Sequence, residues 1–301
     1  MADVARSYGE ASDLKQVPDE TAGRSIRRML AGPRRVALHI VLIALAFTML
    51  FPFLWTVSAS LKSNLNVIAV PPTLFPNPVV WDNYSAVFHT LPLFRGFLNS
   101  VIVAVAGTGF QVLTCSMAAY AFARMRFRFS NALFLVFLVT LMVPVQVTMV
   151  PLFMLMRIVG LVNTYPGLIL PGITSAFGVF LLRQFFLTIP RDLEEAAFLD
   201  GASHWTVFWR IVMPLSKPGL AALTIFAFMS YWNAFLWPLL ITTSNDMATL
   251  PLMTSLLQNQ YFTLWNQLMA GSVISIVPIM IVYLFAQRHF VEGMTLSGLK
   301  G

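Results

Sequence analysis

Six stretches of this chain are apolar for long enough to cross a bilayer, and nothing else in the sequence restricts the fold as much. They are Leu38–Ala59, Gly96–Ala121, Ala132–Met156, Pro166–Leu182, Gly219–Thr242 and Leu264–Ala286. A helix needs about 20 residues to span the hydrocarbon core. Lipid offers no partner to backbone polar groups, so such a run folds as a helix that satisfies its own. The chain is 58% hydrophobic and 10% charged, against about 45–50% and about 25% in soluble domains. The expected fold is all-α: a polytopic membrane protein with six transmembrane helices. Pro52, Pro144, Pro151, Pro171 and Pro278 lie inside the blocks and are expected to kink or end helices.

The formal net charge of +7 is unevenly distributed. With the N-terminus in the cytoplasm, the inner face receives Arg24, Arg27, Arg28, Arg34, Arg35, Arg124, Arg126, Arg128, Arg183, Arg191, Arg210, Lys217, Arg288 and Lys300. The outer face receives only Lys62, Arg95 and Arg157. This is the positive-inside pattern and places both termini in the cytoplasm of a multi-pass cell-membrane protein. The basic residues bracket span boundaries rather than forming one stripe, which argues for lipid headgroups and against nucleic acid as their partner. Residues 1–35 read as a cytoplasmic tail, expected to be disordered. Residues 36–287 read as the membrane domain, with a cytoplasmic loop over 188–217, and residues 288–301 as a second tail. The first block follows a long polar tail without a small-residue cleavage site, so it is read as a retained span. Cys115 lies within the second block as a packed thiol.

No Asp, Glu, Lys or Arg lies deep within any block, which removes the usual carriers of proton-driven transport. His39, His89, His204 and His289 stand apart, so no metal site is expected. Neither a phosphate-binding glycine loop nor a nucleophile elbow occurs. The chain is read as no enzyme, without a cofactor of its own, and uphill transport would need energy from a partner. The span residues Asn99, Gln111, Thr114, Gln146, Thr148, Asn233, Asn266 and Gln267 are expected first to bond between helices.

One inner loop departs from this pattern: EEAAFLDGASHWTVFWRIVMP, residues 194–214. Asp192 is expected to cap a helix over 193–201, with Glu195 in capping-box register and Gly201 in the left-handed conformation that ends it. Leu193, Ala197 and Gly201 form a stripe that another surface could approach closely. Glu194 is expected to face water. A second helix follows, its Trp205, Phe208, Trp209 and Val212 sharing one face. The arrangement is an elbow, a docking helix followed by a helix lying in the membrane plane.

The segment resembles the EAA signature of ABC importer permeases, through Glu195, Ala196, Ala197, Gly201, Ile211 and Pro214 at the signature's spacing; Met213 replaces its usual leucine. TLFPNPVVWDNYSAVF, SYWNAFLWPLLI, ATLPLMTSLL and QRHFVEGMTLSGLKG are similar to the carbohydrate-uptake branch, and specifically to the second permease of maltose-type importers. The resemblance covers roughly residues 35–301. It implies a type I importer permease, a second permease subunit making a heterodimer, two cytoplasmic ATPase subunits carrying ATP and Mg, and an extracytoplasmic solute-binding protein. It also implies that the loop docks on an ATPase, and that the outer loop 243–263 reaches toward the binding protein through Asp246, Met247, Ala248, Thr249 and Leu250. Sugars stack on aromatics and pair with amides, so Asn99, Gln146, Tyr231, Trp232 and Asn233 are the candidate path residues. The expected cargo is a di- or oligosaccharide, with glycerol phosphate or a sugar alcohol as the alternative. An ion-coupled secondary transporter is the alternative from another class.

Overall fold

The computed structural model describes residues 33–258 and 263–298, so the tail read from residues 1–35 lies almost wholly outside the described residues. The chain divides into two units, Met1–Trp55 and Thr56–Gly301. Helix α1, Pro33–Ser60, supplies the described part of the first unit. Its side chains from Val36 through Pro52 are all exposed, and Phe47, Phe51 and Trp55 form a ladder of rings at successive turns.

The second unit is organised around α3, Leu93–Arg124, after a short helix α2, Asp82–Thr90. The buried residues Gly96, Ser100, Ala104, Gly107, Gln111, Cys115, Ala119 and Ala123 recur every three or four positions along α3. They make one stripe, mostly of small side chains, where neighbouring backbones approach closely; in lipid such packing and hydrogen bonding, not apolar burial, hold helices together. The chain continues through α4 (Ser130–Val139), α5 (Val145–Ile158), α6 (Tyr165–Ile169), α7 (Ala176–Leu187), α8 (Asp192–Leu199) and α9 (His204–Val207). It ends with α10 (Lys217–Trp232), α11 (Leu236–Ile241), α12 (Leu250–Ser255) and α13 (Trp265–Gly298). Helices α7, α10 and α12 pack along α3. One core surrounds the Leu93 end of α3, with Trp232, Leu250 and Met253; a second surrounds its Arg124 end, with Phe186, Phe208 and Leu223. Cys115 is buried in the second, its sulfur 3.4 Å from the Ser175 amide.

Among the described residues, three helices are long and apolar enough to span alone, and three more passages are bent pairs, giving six candidate spans if each pair counts as one. The block read as Ala132–Met156 is not straight. It bends by 100° between Ser130–Met142 and Val145–Ile158, where Val143, forced out of helical conformation by Pro144, takes ψ 116°. The fourth passage bends by 49° after Leu170–Gly172, which contains Pro171, and restarts where Ser175 caps Gly178. Pro52, Pro151 and Pro278 remain inside their helices. The fifth block does not run to Thr242 as one helix: α10 ends at Trp232 and the chain is irregular before α11. Helix α13 continues to Gly298, through the division placed at 287.

At the Leu93 end, Asn83 anchors α2 by donating from Nδ2 to the Ser60 and Lys62 carbonyls, both at 2.8 Å. Asn266 donates to Asn83 Oδ1 at 2.7 Å, and Thr90 donates to Gln267 Oε1 at 2.9 Å. Of the span amides expected to bond between helices, Asn99, Asn266 and Gln267 bond to residues outside their own helices. Thr148 instead bonds within its own helix, to the Val145 carbonyl.

Candidate coupling loop and transport path

Helix α8 begins one residue earlier than the sequence suggests. Arg191 occupies the N-cap position without a side-chain cap bond, and Asp192 sits in the first turn beside Glu194 and Glu195. Three carboxylates there favour the helix through its dipole. The helix closes with a double turn of bonds: Gly201 donates to the Phe198 carbonyl at 3.0 Å and Ala202 to the Ala197 carbonyl at 2.9 Å. Gly201 holds φ +83°, the left-handed conformation this closure demands. A Cβ added at Gly201 would meet nothing within 4 Å in this chain.

The two glutamates divide, and Glu194 does not face water as expected. Glu195 and Ala196 are exposed and Ala197 half-buried. Glu194 is buried and forms an ion pair with Arg124, Nε to Oε1 at 2.9 Å, with side-chain exposures of 7% and 3%. The pairing is one of charge rather than of aligned hydrogen bonding, because neither atom has an aligned partner. Arg124 also donates to the Phe186 carbonyl and, at 2.7 Å, to the Ile189 carbonyl. One guanidinium thus joins the end of α3, the end of α7 and the start of α8. Burial pushes the Glu194 carboxyl up, opposed by Arg124, then Arg191 and His204. Beside this pair a hollow of about 530 Å³ opens, with Glu195, Phe198 and His204 in its lining.

The second arm of the elbow runs from His204 to Leu215 and meets α10 at 82°. Residues Phe208–Val212 form a turn of π-helix, which inserts an extra residue into the turn and changes the register of the faces. Val207, Phe208 and Val212 are consequently buried, while Trp205 and Trp209 are exposed, so the four residues expected on one face divide between two. Ile211 is half-buried and Pro214 exposed.

The five path candidates are not brought together. Asn99 is fully buried, donating to the Asp246 and Ala248 carbonyls at 2.8 and 2.9 Å and accepting from Tyr165 at 2.7 Å. Tyr231 is a packing peg, donating to the Ile169 carbonyl at 3.0 Å, with its ring 2.6–2.7 Å from where a Cβ on Gly107 would lie. Trp232 is 1% exposed, bonded to the Ser275 carbonyl and packed on Phe97 and Phe228. Gln146 and Asn233 alone are exposed, each beside a break in its passage.

The outer loop also differs from a freely projecting arm. Asp246 is exposed and Met247 half-buried, but Ala248, Thr249 and Leu250 are buried, with the Leu250 amide donating to Ser100 Oγ at 2.7 Å. Arg95 Nε donates to the Asp246 carbonyl at 3.1 Å. The apolar residues of ATLPLMTSLL pack because they cover α3, and a run of that polarity cannot stay in water. Arg124 escaped the sequence reading as anything more than a boundary charge. The available signal was its place as the last residue of a span, with an acidic pair in a later inner loop.

The bent spans and the anchored, outward-presenting loop define a multi-pass membrane permease component with an all-α, type I importer fold. The family described as "Binding-protein-dependent transport system inner membrane component" matches residues 111–296, and the chain belongs to that family. It is 39% identical over 260 residues to the arabinooligosaccharides transport system permease protein AraQ of Halalkalibacterium halodurans, covering 85% of this chain and 93% of that one. It is 38% identical to the sn-glycerol-3-phosphate transport system permease protein UgpE of Yersinia pestis, covering 85% and 94%. With the lactose transport system permease protein LacG of Rhizobium radiobacter it shares 36% identity, covering 85% and 93%. Among solved structures it is similar to a chain of a bacterial ABC transporter involved in the import of the acidic polysaccharide alginate. That match has TM-score 0.76 and 25% identity, covering 85% of this chain and 95% of the other. The relatives are permease components of importers, not enzymes in themselves.

Proposed function

We propose that this chain is one permease subunit of an ATP-driven importer that receives a carbohydrate, a di- or oligosaccharide, from an extracytoplasmic solute-binding protein. Both termini lie in the cytoplasm, with 36–287 as the membrane domain and 1–35 and 288–301 as tails. A second permease subunit completes the pathway as a heterodimer. Two ATPase subunits dock on the inner loop and hold ATP and Mg; no cofactor belongs to this chain. The observation that carries the reading is the loop itself: Glu195, Ala196 and Gly201 are presented outward on a helix fixed from behind by Glu194 and Arg124. A surface so anchored passes a push from the ATPase into α3 and α7, and so biases the permease between its two facing states.

The names of the relatives support carbohydrate as cargo: arabinooligosaccharides, lactose and alginate recur among them. Glycerol phosphate is the second reading, favoured by the 38% identity with UgpE. Gln146 and Asn233 are the path candidates whose amides are exposed. Asp246 is the exposed one of the five outer-loop candidates for contact with the binding protein. Reconstitution of the assembled transporter in vesicles tests the proposal. Uptake of sugar that requires both internal ATP and the binding protein supports it; uptake driven by a sodium or proton gradient without ATP overturns it.

A further inference from the structure

At the same end of the molecule as the coupling loop, four arginines from three chain segments converge on one hollow of about 520 Å³. Arg126 and Arg128 follow α3, Arg183 lies on α7, and Arg191 begins α8; Phe122, Phe127 and Leu187 are among the apolar residues of its wall. Among the described residues, no carboxylate lines it. A topological bias requires only that basic residues lie near the inner face. It does not require residues separated by more than 50 positions in sequence to share a cavity.

The site is also built to hold its charges in place. The Arg183 guanidinium lies 4.3 Å above the Phe134 ring centroid, and its Nε donates to the Phe122 carbonyl at 3.3 Å. Arg128 lies 4.8 Å over Phe129. Phe129 has φ 65°, a left-handed conformation uncommon for a bulky residue, and it opens the ten-residue helix α4 without capping it through a side chain. Ser130 and Asn131, at that uncapped N-terminus, line the hollow, and the helix dipole there favours an anion. Arg191 also acts on Glu194, so the excess positive charge rests chiefly on Arg126, Arg128 and Arg183.

We propose that this hollow binds the phosphate of an anionic phospholipid headgroup, with the acyl chains against its aromatic wall. Three spans end or begin at its rim, which places it at headgroup depth, and a multivalent arginine cluster there matches a phosphodiester in charge and geometry. A lipid held at this point would bridge α3, α4 and α7 beside the coupling loop. The inference rests on the membrane-spanning reading but not on the cargo or on ATP.

The test uses the assembled transporter, delipidated in detergent, titrated with short-chain phosphatidylglycerol, with phosphatidylcholine and with inorganic phosphate, binding being read by native mass spectrometry. Phosphatidylglycerol should bind in preference to phosphatidylcholine. Because each arginine near a headgroup contributes roughly fivefold, R126Q/R128Q should weaken phosphatidylglycerol binding about 25-fold, whereas R210Q, outside the hollow, should leave it unchanged. R126K/R128K, which keeps the charge, should retain most of the binding. Equal binding of the two lipids, or an unchanged R126Q/R128Q variant that still assembles, overturns the proposal. Displacement of phosphatidylglycerol by equimolar inorganic phosphate would assign the site to a free anion and overturn the lipid assignment. Sugar uptake measured on the same preparation separates failure here from failure of the transport reading.

Discussion

Arg124 Nε and Glu194 Oε1 lie 2.9 Å apart, with both side chains almost wholly enclosed, and this ion pair fastens α8, the proposed coupling helix, to the end of the central span. A buried pair of this kind contributes little net stability compared with an apolar pair, but is costly to break from one side. Its role is positional: it fixes where Glu195 and Gly201 are presented.

The first expectation therefore reverses the order that the sequence implies for the two glutamates. Glu194→Ala should lower stability by about 3–5 kcal/mol, and Glu195→Ala by no more than about 1 kcal/mol. Thermal unfolding of the purified assembly gives the comparison. R124L/E194L should recover much of the loss. Equal unfolding midpoints for E194A and E195A would show that the ion pair does not anchor the helix.

A pH dependence follows from the same residue. Burial, opposed by Arg124 and Arg191, holds the Glu194 carboxyl above its ordinary 4.5. A carboxyl that binds its proton more readily when folded contributes its full stabilisation below 4.5 and loses it as pH rises through the raised folded value. E194Q cannot titrate. Stability of the native sequence relative to E194Q should consequently fall as pH climbs from 4.5, and a difference constant with pH would contradict the assignment.

Gly201 separates backbone strain from partner contact. Alanine there adopts φ +83° at a cost of about 1–2 kcal/mol, and meets no atom of this chain. Gly201→Trp should disturb the isolated fold little more than Gly201→Ala, yet abolish co-purification of the ATPase subunit. Retention of the ATPase by the tryptophan variant would place the docking surface elsewhere.

Tyr231 distinguishes packing from transport. Tyr231→Phe leaves the Ile169 carbonyl without its donor and should cost about 1–3 kcal/mol. Gly107→Ala should cost more, because the new methyl would lie 2.6 Å from the Tyr231 ring. Sugar uptake by Y231F should show an unchanged KM. A raised KM with unaltered thermal stability would return Tyr231 to the transport path.

Asn99 holds the outer loop, so Asn99→Leu should release residues 246–248 from α3 and expose the loop to limited proteolysis from outside. Removing Asp246–Leu250 altogether would instead destroy the fold locally, since Leu250 is fully buried. An N99L variant as protease-resistant as the native chain would show the clamp to be redundant.

The all-α character, the six candidate passages among the described residues and the short helix closed by Gly201 were legible in the sequence because each depends on local quantities. A run of apolar residues in lipid has one backbone solution, and a glycine closing a helix needs no distant partner to take its left-handed turn. Proline effects were legible only in part: Pro144 and Pro171 coincide with sharp bends, while Pro52, Pro151 and Pro278 remain inside helices. Both outcomes are compatible with the ring's geometry, and the neighbours that re-satisfy the freed carbonyls decide between them.

Which glutamate faces inward was decided by the tertiary structure alone. Glu194 and Glu195 are adjacent and chemically identical, and helical periodicity assigns them different directions without naming which direction is inside. That depends on Arg124, 70 positions earlier, arriving at the end of a packed span. The same holds for Asn99, Tyr231 and Trp232, whose polar atoms suited either a sugar or a carbonyl until the backbone of another helix came within bonding distance. Composition and period determined what each segment is; long-range packing determined what each polar side chain meets, because a hydrogen-bond or charge partner is fixed by distance in space rather than in sequence.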